Sequence, residues 1–311
     1  MIGLSMRHLR YFDALAQYGH FGRAAEACAI SQPALSLQIK ELEEILGTPL
    51  VERGARRIRL TALGEAFALR VRDILRAVDE LGALARASQG PLVGQLRIGV
   101  IPTVAPYLLP RVIKELAAAF PGIDLRPREA VTQRLIEDLA EGRMDTAIVA
   151  LPISEPFLHE EALFDEEFVL VRPQEDAAKP VPKPEKLREM RLLLLEEGHC
   201  FRDQALSFCE MTSATPRDLM EGSSLSTLVQ MVGAGIGVTL IPEMAAPIET
   251  RSAAVSLARL AEPRPRRTIG MVWRKTNPLA PQLTRIATIL RTVESGENPP
   301  NRGAKTSGKG I

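Results

Sequence analysis

The stretch Ser31-Gln-Pro-Ala-Leu-Ser-Leu-Gln-Ile-Lys-Glu-Leu-Glu-Glu-Ile-Leu46 decides the fold of the N-terminal region. Ser31 is a good helix N-cap, and Pro33 is tolerated in the first turn. Four apolar residues recur at helical spacing and predict a buried stripe: Leu35, Ile39, Leu42 and Leu46. The opposite face carries Pro33, Ser36 and Lys40. The sequence therefore predicts an amphipathic helix with one face free for a partner.

Two predicted helices precede this helix, and a predicted hairpin follows it. Residues 7–18 and 21–29 predict two preceding helices, separated at Gly19. Residues 50–60 after it predict a short hairpin with arginines at its tip. The order of elements is therefore helix, helix, exposed helix and basic wing.

Residues 61–87 predict one long helix. Its apolar residues alternate steps of four and three along a seam: Phe67, Val71, Ile74, Val78, Leu81 and Ala85. Such a seam is typical of a coiled coil, but an ordinary amphipathic helix packed on its own domain has the same pattern. We favour dimerisation and keep the second interpretation open. The following segment, Ser88 to Gly94, predicts a hinge.

From residue 95 onwards the pattern changes to alternating strands and helices. The predicted strands are 97–101, 123–130, 145–151, 168–172, 192–195, 237–241 and 268–274, and the helices are 107–120, 133–142, 224–233 and 281–294. This alternation predicts an α/β fold with a largely parallel sheet, helices on both faces, and a chain that crosses between two subdomains. The expected domains are residues 1–60, 61–94 and 95–295, followed by a disordered tail at 296–311.

Composition bounds the class of protein. The chain has 311 residues, 46% of them hydrophobic, with a mean hydropathy of +0.02, which predicts a soluble globular protein. We find neither a long apolar run nor a signal-peptide pattern, so we expect a cytoplasmic protein that does not bind membranes. The net charge of +1 argues neither for nor against a nucleic-acid partner. Three cysteines do not make a disulfide framework.

Two cysteines stand out in Gly198-His-Cys-Phe-Arg-Asp-Gln-Ala-Leu-Ser-Phe-Cys209. Cys200 lies beside a histidine, an arginine and a possible helix start, surroundings that favour the thiolate. If residues 200–209 are helical, the two Cα atoms lie roughly 13.5 Å apart along the axis. A disulfide requires about 7 Å or less, so pairing would need the segment to refold. Two buried, inert thiols are the alternative interpretation.

Three further features do not favour a metal or nucleotide site. Cys28, among small residues, is expected to pack in a core. His199 could bind a metal with Cys200, but adjacent side chains rarely converge, so we expect no metal and no cofactor. Gly233-Ala-Gly-Ile-Gly237 predicts a helix end and a tight turn rather than a nucleotide loop, because it follows a helix and precedes a strand.

The N-terminal motifs resemble a known family. Phe21-Gly-Arg-Ala-Ala-Glu, Ser31-Gln-Pro-Ala-Leu-Ser and Val51 to Thr61 are similar to the winged helix-turn-helix of LysR-type transcriptional regulators. The resemblance implies that the helix from Ser31 enters the DNA major groove and that the wing lies near phosphates. The implied DNA-binding residues are Ser31, Gln32, Pro33, Ser36, Lys40, Arg53, Arg56 and Arg57. Arg53 could instead be structural.

The same family carries a long linker helix and a two-subdomain effector domain like that of periplasmic binding proteins. The resemblance implies an effector site between the subdomains, near Ile101-Pro-Thr103. Thr103 could either bind a ligand there or only cap the next helix.

The segment around Cys200 resembles one branch of the family, the peroxide-sensing activators of the oxidative stress response. Ile101-Pro-Thr-Val-Ala-Pro-Tyr, Glu129-Ala-Val-Thr132 and Pro265-Arg-Arg-Thr-Ile-Gly270 resemble it as well. The resemblance implies that Cys200 reacts with hydrogen peroxide and that Cys209 resolves the product into a disulfide. The residues implied to bind peroxide or support the thiolate are Thr103, Thr132, His199, Arg202, Asp203 and Arg267.

The resemblance implies a non-enzymatic regulator whose partners are double-stranded DNA, hydrogen peroxide, RNA polymerase and itself, as a homodimer or homotetramer. Two alternatives stay open. One is a LysR-type regulator that responds to a small organic ligand near Thr103. The other is a thiol peroxidase that uses the same cysteine pair.

Overall fold

The computed structural model of the chain describes residues 3–52, 58–87, 93–182, 187, 190–208 and 220–295. The chain divides into two compact units, Met1–Ala85 and Arg86–Ile311. The domain boundaries predicted at residues 60 and 94 stay a prediction, because this division follows contacts within the chain and not function. The expected tail at 296–311 and the wing tip lie outside the described residues.

The N-terminal unit has the predicted order of elements. Its helices and strands are α1 (Met6–Tyr18), α2 (Phe21–Ala27), α3 (Gln32–Leu46), β1 (Val51–Glu52), β2 (Arg59–Leu60) and α4 (Ala62–Ala87). The strands β1 and β2 pair antiparallel and form the base of the predicted hairpin. A buried carboxylate fixes this hairpin to α3, because Glu43 Oε1 accepts hydrogen bonds from the backbone N–H groups of Leu50 and Val51 at 2.8 and 3.1 Å.

The stripe predicted on α3 lies in the core of this unit. Leu35, Ile39 and Leu42 are buried, and Leu46 is half-buried. Ser31 caps the helix, since its Oγ accepts a hydrogen bond from the N–H of Ala34 at 3.3 Å. At the other end Gly47 adopts a left-handed conformation with φ +70°, which suits glycine. Helix α3 is therefore held at both ends and along one face.

The seam of the long helix α4 is buried near the start of the helix and exposed further along. Its first turns belong to the core of the N-terminal unit, where Val71 is buried and Phe67 packs edge-on against Phe12 with ring centroids 5.4 Å apart. Further along, Ile74 and Leu81 are 46% and 66% exposed. One part of the seam thus packs on its own unit, and the other part presents apolar side chains at the surface.

The second unit contains the predicted alternation of strands and helices. Its strands are β3 (Gly94–Val100), β4 (Ile123–Glu129), β5 (Thr146–Leu151), β6 (Leu158–Pro173), β7 (Leu193–Leu195), β8 (Met220–Gly222), β9 (Thr239–Pro242), β10 (Val255–Arg259) and β11 (Arg266–Arg274). Its helices are α5 (Ala105–Ala119), α6 (Thr132–Ala140), α7 (Cys200–Phe208), α8 (Leu225–Gly233), α9 (Ala246–Glu249) and α10 (Ala280–Ser295).

The prediction of a largely parallel sheet was wrong. β3 pairs parallel with β4 and β5, but β6 runs antiparallel to β9, β10 and β11, and β11 runs antiparallel to β5. The reason is the length of β6. Its sixteen residues pair with β11 in their first half and with β9 and β10 in their second half, so one strand belongs to both subdomains.

The chain therefore crosses between two subdomains, as predicted. It leaves the first along β6 and returns between β10 and β11. The turn after α8 also has the predicted role. Gly235 has φ +77°, and a Cβ on Gly237 would lie 2.3 Å from the carbonyl oxygen of Arg191.

Candidate functional site

Cys200 is the first residue of α7, and its side chain is a half-buried free thiol. The same helix buries Phe201 and Ala205 in the core of the second subdomain. The predicted helical segment is therefore present from Cys200 to Phe208. Cys209 lies outside the described residues.

A narrow crevice surrounds the thiol at the junction of the two subdomains. The crevice is lined by Ile101, Pro102, Thr103, Val131, Thr132, His199, Cys200 and Phe201. Thr103 follows β3, and Thr132 is the first residue of the helix after β4. Because the carboxyl ends of parallel strands meet at one edge of a sheet, two distant hydroxyls reach the same thiol-containing crevice.

Thr103 is oriented by a buried arginine. Its Oγ accepts a hydrogen bond from Nη1 of Arg267 at 2.8 Å, and its carbonyl oxygen accepts one from Nη2 at 3.2 Å. Arg267 in turn forms an ion pair with Glu166, with Nε to Oε2 and Nη2 to Oε2 distances of 2.9 and 2.8 Å. Helix α5 has Val104 at its N-cap and no side-chain cap bond. Thr103 is thus no helix cap, and its hydroxyl proton stays available to the crevice.

Two side-chain oxygens near the thiol have no hydrogen-bond partner among the described residues. They are Oγ1 of Thr132, which lines the crevice, and Oε1 of Gln204, one helical turn after Cys200. A buried oxygen without a partner is costly, and it commonly marks a place where a small polar molecule binds. Gln204 was not among the predicted residues. Its spacing of four from Cys200 on a helix was the signal for it.

His199 contributes a neutral ring to the crevice. Burial lowers its pKa below the usual value, and the carboxylates of Glu196 and Glu129 offset only part of this effect. At pH 7 the imidazole is therefore uncharged. It is suited to hydrogen bonding with a reactant rather than to attracting a thiolate by charge.

Arg202 and Asp203 have different surroundings from the other predicted residues. The Nη1 of Arg202 donates to the carbonyl oxygen of Leu195 at 2.8 Å and lies 2.7 Å from Oε1 of Glu221. Arg202 thus fastens α7 to β7 and β8. Asp203 is exposed in the first turn of α7. Neither side chain lines the crevice.

A wider cavity of about 220 Å³ adjoins the crevice, and we refer to it as the vestibule. It is lined by Pro102, Thr103, Pro106, Tyr107, Glu129, Leu195, His199, Ser223, Ser224, Leu225, Ser226 and Glu249. The Tyr107 hydroxyl donates a hydrogen bond to Oε1 of Glu249 at 2.7 Å, and this bond joins α5 to α9. Burial, followed by the contact with Glu249, raises the pKa of Tyr107 far above its usual value, so the phenol stays protonated.

The predicted DNA-binding residues that the structure describes share one surface. Ser31, Gln32, Pro33 and Ser36 are exposed at the start of α3, and Lys40 is exposed in the middle of the same helix. Lys40 has a solvent-exposed ion pair with Glu44 at 3.4 Å. Arg53, Arg56 and Arg57 lie outside the described residues.

The part of the chain that the structure describes contains neither a membrane-spanning helix nor a cluster of metal ligands. No helix there is long and apolar enough to span a membrane. No three side chains of histidine, cysteine, aspartate or glutamate there are arranged to hold a metal ion.

Cys28 is half-buried at the end of α2, and burial, followed by the charge of Asp13, raises its pKa.

Family models match both units of the chain. The model for the bacterial regulatory helix-turn-helix protein, lysR family, matches residues 6–65, and that for the LysR substrate binding domain matches residues 89–295. The chain belongs to the LysR family of bacterial regulators. The winged helix-turn-helix and the two-subdomain α/β domain described above are the two parts of a LysR-family protein.

The chain is similar to proteins that are named as transcriptional activators or regulators. The chain is 44% identical over 292 residues to a "Probable hydrogen peroxide-inducible genes activator" of Streptomyces viridosporus, covering 92% of this chain and 93% of that protein. It is 39% identical over 296 residues to the "DNA-binding transcriptional dual regulator OxyR" of Escherichia coli K12, covering 94% and 97%.

Solved structures of LysR-family proteins are similar as well. A full-length OxyR variant from Pseudomonas aeruginosa aligns with a TM-score of 0.73 at 35% identity, covering 95% of this chain and 99% of that one. A Corynebacterium glutamicum OxyR mutant in its H2O2-bound form aligns with a TM-score of 0.64 at 32% identity, covering 94% and 93%.

Proposed function

We propose that this chain is a DNA-binding transcriptional activator of the oxidative stress response, switched by hydrogen peroxide through a reversible Cys200–Cys209 disulfide. The observation that carries the proposal is the crevice. A free thiol lies at the start of a helix beside the hydroxyls of Thr103 and Thr132, and the second of these is buried without a partner among the described residues. The names and structures of its relatives support the same function.

The proposed reaction has two steps. The Cys200 thiolate attacks one peroxide oxygen, the O–O bond breaks, and hydroxide leaves, so that sulfur is oxidised to a sulfenic acid and peroxide is reduced. The thiol of Cys209 then attacks the sulfenic sulfur, and the disulfide forms with release of water.

The polar residues in and around the crevice have separate roles in the first step. Thr103, positioned by Arg267, donates its hydroxyl proton to the bound peroxide, and Thr132 and His199 complete the hydrogen bonds. Arg202 acts indirectly, by holding the first turn of α7 in place, and the exposed carboxylate of Asp203 lies in the same turn.

The second step converts chemistry into a change of shape. A helix from Cys200 to Phe208 keeps its two ends too far apart for a disulfide, so α7 must unwind for Cys209 to reach the sulfenic acid. Unwinding removes buried Phe201 and partly buried Leu206 and Phe208 from the core of the second subdomain. We propose that the resulting surface re-spaces the DNA-binding units of the oligomer.

On DNA, we propose that Ser31, Gln32, Pro33, Ser36 and Lys40 lie in the major groove while Arg53, Arg56 and Arg57 contact phosphates. The exposed apolar residues of α4, Ile74 and Leu81 among them, support pairing of two chains through this helix. Two such dimers would form the tetramer. We further propose that the protein works in the cytoplasm, contacts RNA polymerase, and is divided functionally at residues 60, 94 and 295.

The two alternatives have less support. A cationic side chain in the cleft would favour a regulator of organic anions, but none of the residues that line the vestibule is lysine or arginine. A thiol peroxidase would use the same chemistry, but a helix-turn-helix has no part in such an enzyme, and relatives are named as regulators. We therefore expect one oxidation per switching event rather than continued turnover of peroxide.

Titration of the full-length protein with peroxide tests the proposal, with mass spectrometry and a DNA footprint taken from the same sample. We expect a Cys200–Cys209 bond to form as the footprint changes, and both to be lost in Cys200→Ser. Cys28→Ser is the matched control and should behave as the parent protein. A disulfide without a footprint change would exclude the switch, and sustained peroxide consumption with a reductant would favour a peroxidase.

A further inference from the structure

The vestibule and the crevice share one wall. Pro102, Thr103 and His199 line both, and Cys200 lies on the crevice side. A small molecule in the vestibule is thus in contact with side chains that also line the crevice of the thiol. The charges of the vestibule act on any oxidant that approaches Cys200 from this side.

The charged side chains of the vestibule are acidic. Glu129, at the end of β4, and Glu249, at the end of α9, both line it. Its other titratable groups carry no charge at neutral pH, because burial lowers the pKa of His199 and raises that of Tyr107. Lysine and arginine are absent from the residues described as its lining.

Two positive features oppose these carboxylates, and both are weaker. The start of α8 at Leu225 contributes a helix-dipole charge of roughly +0.5, against two full negative charges. Arg267 binds Thr103 at the shared wall, but its guanidinium is already paired with Glu166 at 2.8 Å. The balance of charge in the vestibule is therefore negative.

We propose that Glu129 and Glu249 form a charge filter that admits uncharged peroxides to Cys200 and slows anionic oxidants. This inference rests on the proposed function and defines the class of oxidant that the sensor accepts. For an anion that passes within about 8 Å of a carboxylate, at an effective dielectric constant of about 40 to 80, Coulomb's law gives a slowing of roughly two- to sixfold per carboxylate. An uncharged oxidant should feel no such effect.

Hydrogen peroxide and peroxymonosulfate give the same product on the thiol, but the first is uncharged and the second is an anion. With hydrogen peroxide, the thiolate attacks an oxygen, the O–O bond breaks and hydroxide leaves. With peroxymonosulfate, the thiolate attacks the hydroxyl-bearing oxygen, the O–O bond breaks and sulfate leaves. Both reactions yield the same sulfenic acid on Cys200. tert-Butyl hydroperoxide, which releases tert-butoxide, serves as a larger oxidant without charge.

The test measures the rate of sulfenic acid formation on Cys200 in the full-length Cys209→Ser protein, trapped with dimedone and followed by mass spectrometry. Glu129→Gln, Glu249→Gln and the double variant are compared with the parent. Gln at 249 retains a carbonyl acceptor for Tyr107. Asp124→Asn is the matched control, because it removes an exposed carboxylate from the other end of the same strand, β4.

We expect the ratio of the peroxymonosulfate rate to the hydrogen peroxide rate to rise roughly two- to sixfold in each single variant, and further in the double variant. In the parent protein, added salt should raise the same ratio by screening the carboxylates, and the double variant should lose this salt dependence. The tert-butyl hydroperoxide rate should follow the hydrogen peroxide rate in every variant.

Three results would overturn the charge filter. They are an unchanged ratio in the double variant, an equal rise in Asp124→Asn, and parallel increases for all three oxidants, which would indicate a wider opening instead. Failure of the proposed function would look different. In that case hydrogen peroxide would not oxidise Cys200 of the parent protein at all, whatever the variants did.

Discussion

Helices α3 and α7 are both short helices that carry the proposed working residues of their unit, but they are held in different ways. Helix α3 has fifteen residues, a Ser31 cap, a left-handed Gly47 at its end and three leucine or isoleucine side chains in the core. Helix α7 has nine residues and is held by buried Phe201 and Ala205 and by the polar contacts of Arg202.

This difference matches the two tasks proposed for the helices. A DNA-reading surface must keep one shape, and α3 is fixed at both ends and along its whole buried face. A redox switch must be able to adopt a second conformation, and α7 is attached by one short apolar face and by the polar contacts of a single arginine, Arg202. The comparison predicts that α3 is lost only with its unit, whereas α7 opens locally.

The largest effect should come from the core of α3. Leu35→Ala removes a fully buried side chain, and we expect it to lower the free energy of unfolding of the N-terminal unit by about 3 kcal/mol. Leu37→Ala on the same helix is the control, because Leu37 is 64% exposed and its loss should cost less than about 0.5 kcal/mol. Hydrogen exchange of the α3 amides at increasing denaturant concentration measures the free energy of unfolding of both variants.

The oxidation rate of Cys200 tests whether a change in the N-terminal unit affects α7 in the second unit. Its oxidation rate should not change in Leu35→Ala, because the thiol lies in the second unit. A slower oxidation rate in this variant would mean that the two units are not energetically separate.

The next effect concerns the attachment of α7. Arg202→Met keeps much of the apolar stem but removes the bonds to Leu195 and Glu221. Hydrogen bonds to charged groups contribute about 1.5 to 3 kcal/mol, so opening of α7 should become about ten- to a hundredfold more frequent. Hydrogen exchange of the α7 amides should accelerate by this factor, and disulfide formation after peroxide should become faster.

Ser207→Ala is the matched control for this prediction, because Ser207 is exposed on the same helix. It should leave exchange of the α7 amides within about twofold of the parent rate. Equal exchange in Arg202→Met and Ser207→Ala would show that Arg202 does not hold the helix closed, and α7 would then resemble α3.

A smaller effect is expected at the cap of α3. Ser31→Ala removes the hydrogen bond to the N–H of Ala34 and should destabilise the N-terminal unit by about 1 kcal/mol. Ser31→Asp restores the capping acceptor, so it should recover stability while it weakens DNA binding by placing a negative charge near the phosphates. Thermal melts and DNA titrations separate the two roles. Loss of both properties in Ser31→Asp would contradict a cap.

The sequence predicted α3 and α7 well because both depend on local patterns. A cap residue and apolar spacing define α3, and the residues around Cys200 resemble a known motif. The sheet was harder, because the first half of β6 alternates irregularly between buried and exposed positions and carries several glutamates. Pairing of such a strand with β11 depends on residues about a hundred positions away, which no local pattern contains.

In the candidate site as well, the residues that the sequence did not predict include some that depend on contacts with distant parts of the chain. The chain-local residues near Cys200 were found, but Glu166 and Gln204 were missed. Glu166 matters only because folding places it against Arg267, a hundred and one positions along the chain. Arg202 was predicted to support the thiolate, yet its partners are Leu195 and Glu221, which a sequence motif does not reveal.

The smallest expected effect is the pH dependence contributed by His199. Its pKa in the folded protein is lower than in the unfolded chain, where it is about 6.5, because burial disfavours the charged ring. Above pH 6.5 the ring is neutral in both states and costs nothing. Below it, the unfolded chain binds a proton more readily than the folded protein does, so stability falls as the pH falls towards the folded pKa.

A comparison of the parent protein with His199→Gln isolates this contribution. Hydrogen exchange of the α7 amides should show the parent losing local stability between pH 6.5 and the folded pKa, while the variant should lose less. Above pH 7 the difference between the two proteins should not vary with pH. A parent protein that instead gained stability in acid would mean that His199 is protonated in the folded state, and the neutral ring assigned to the crevice and to the vestibule would be wrong.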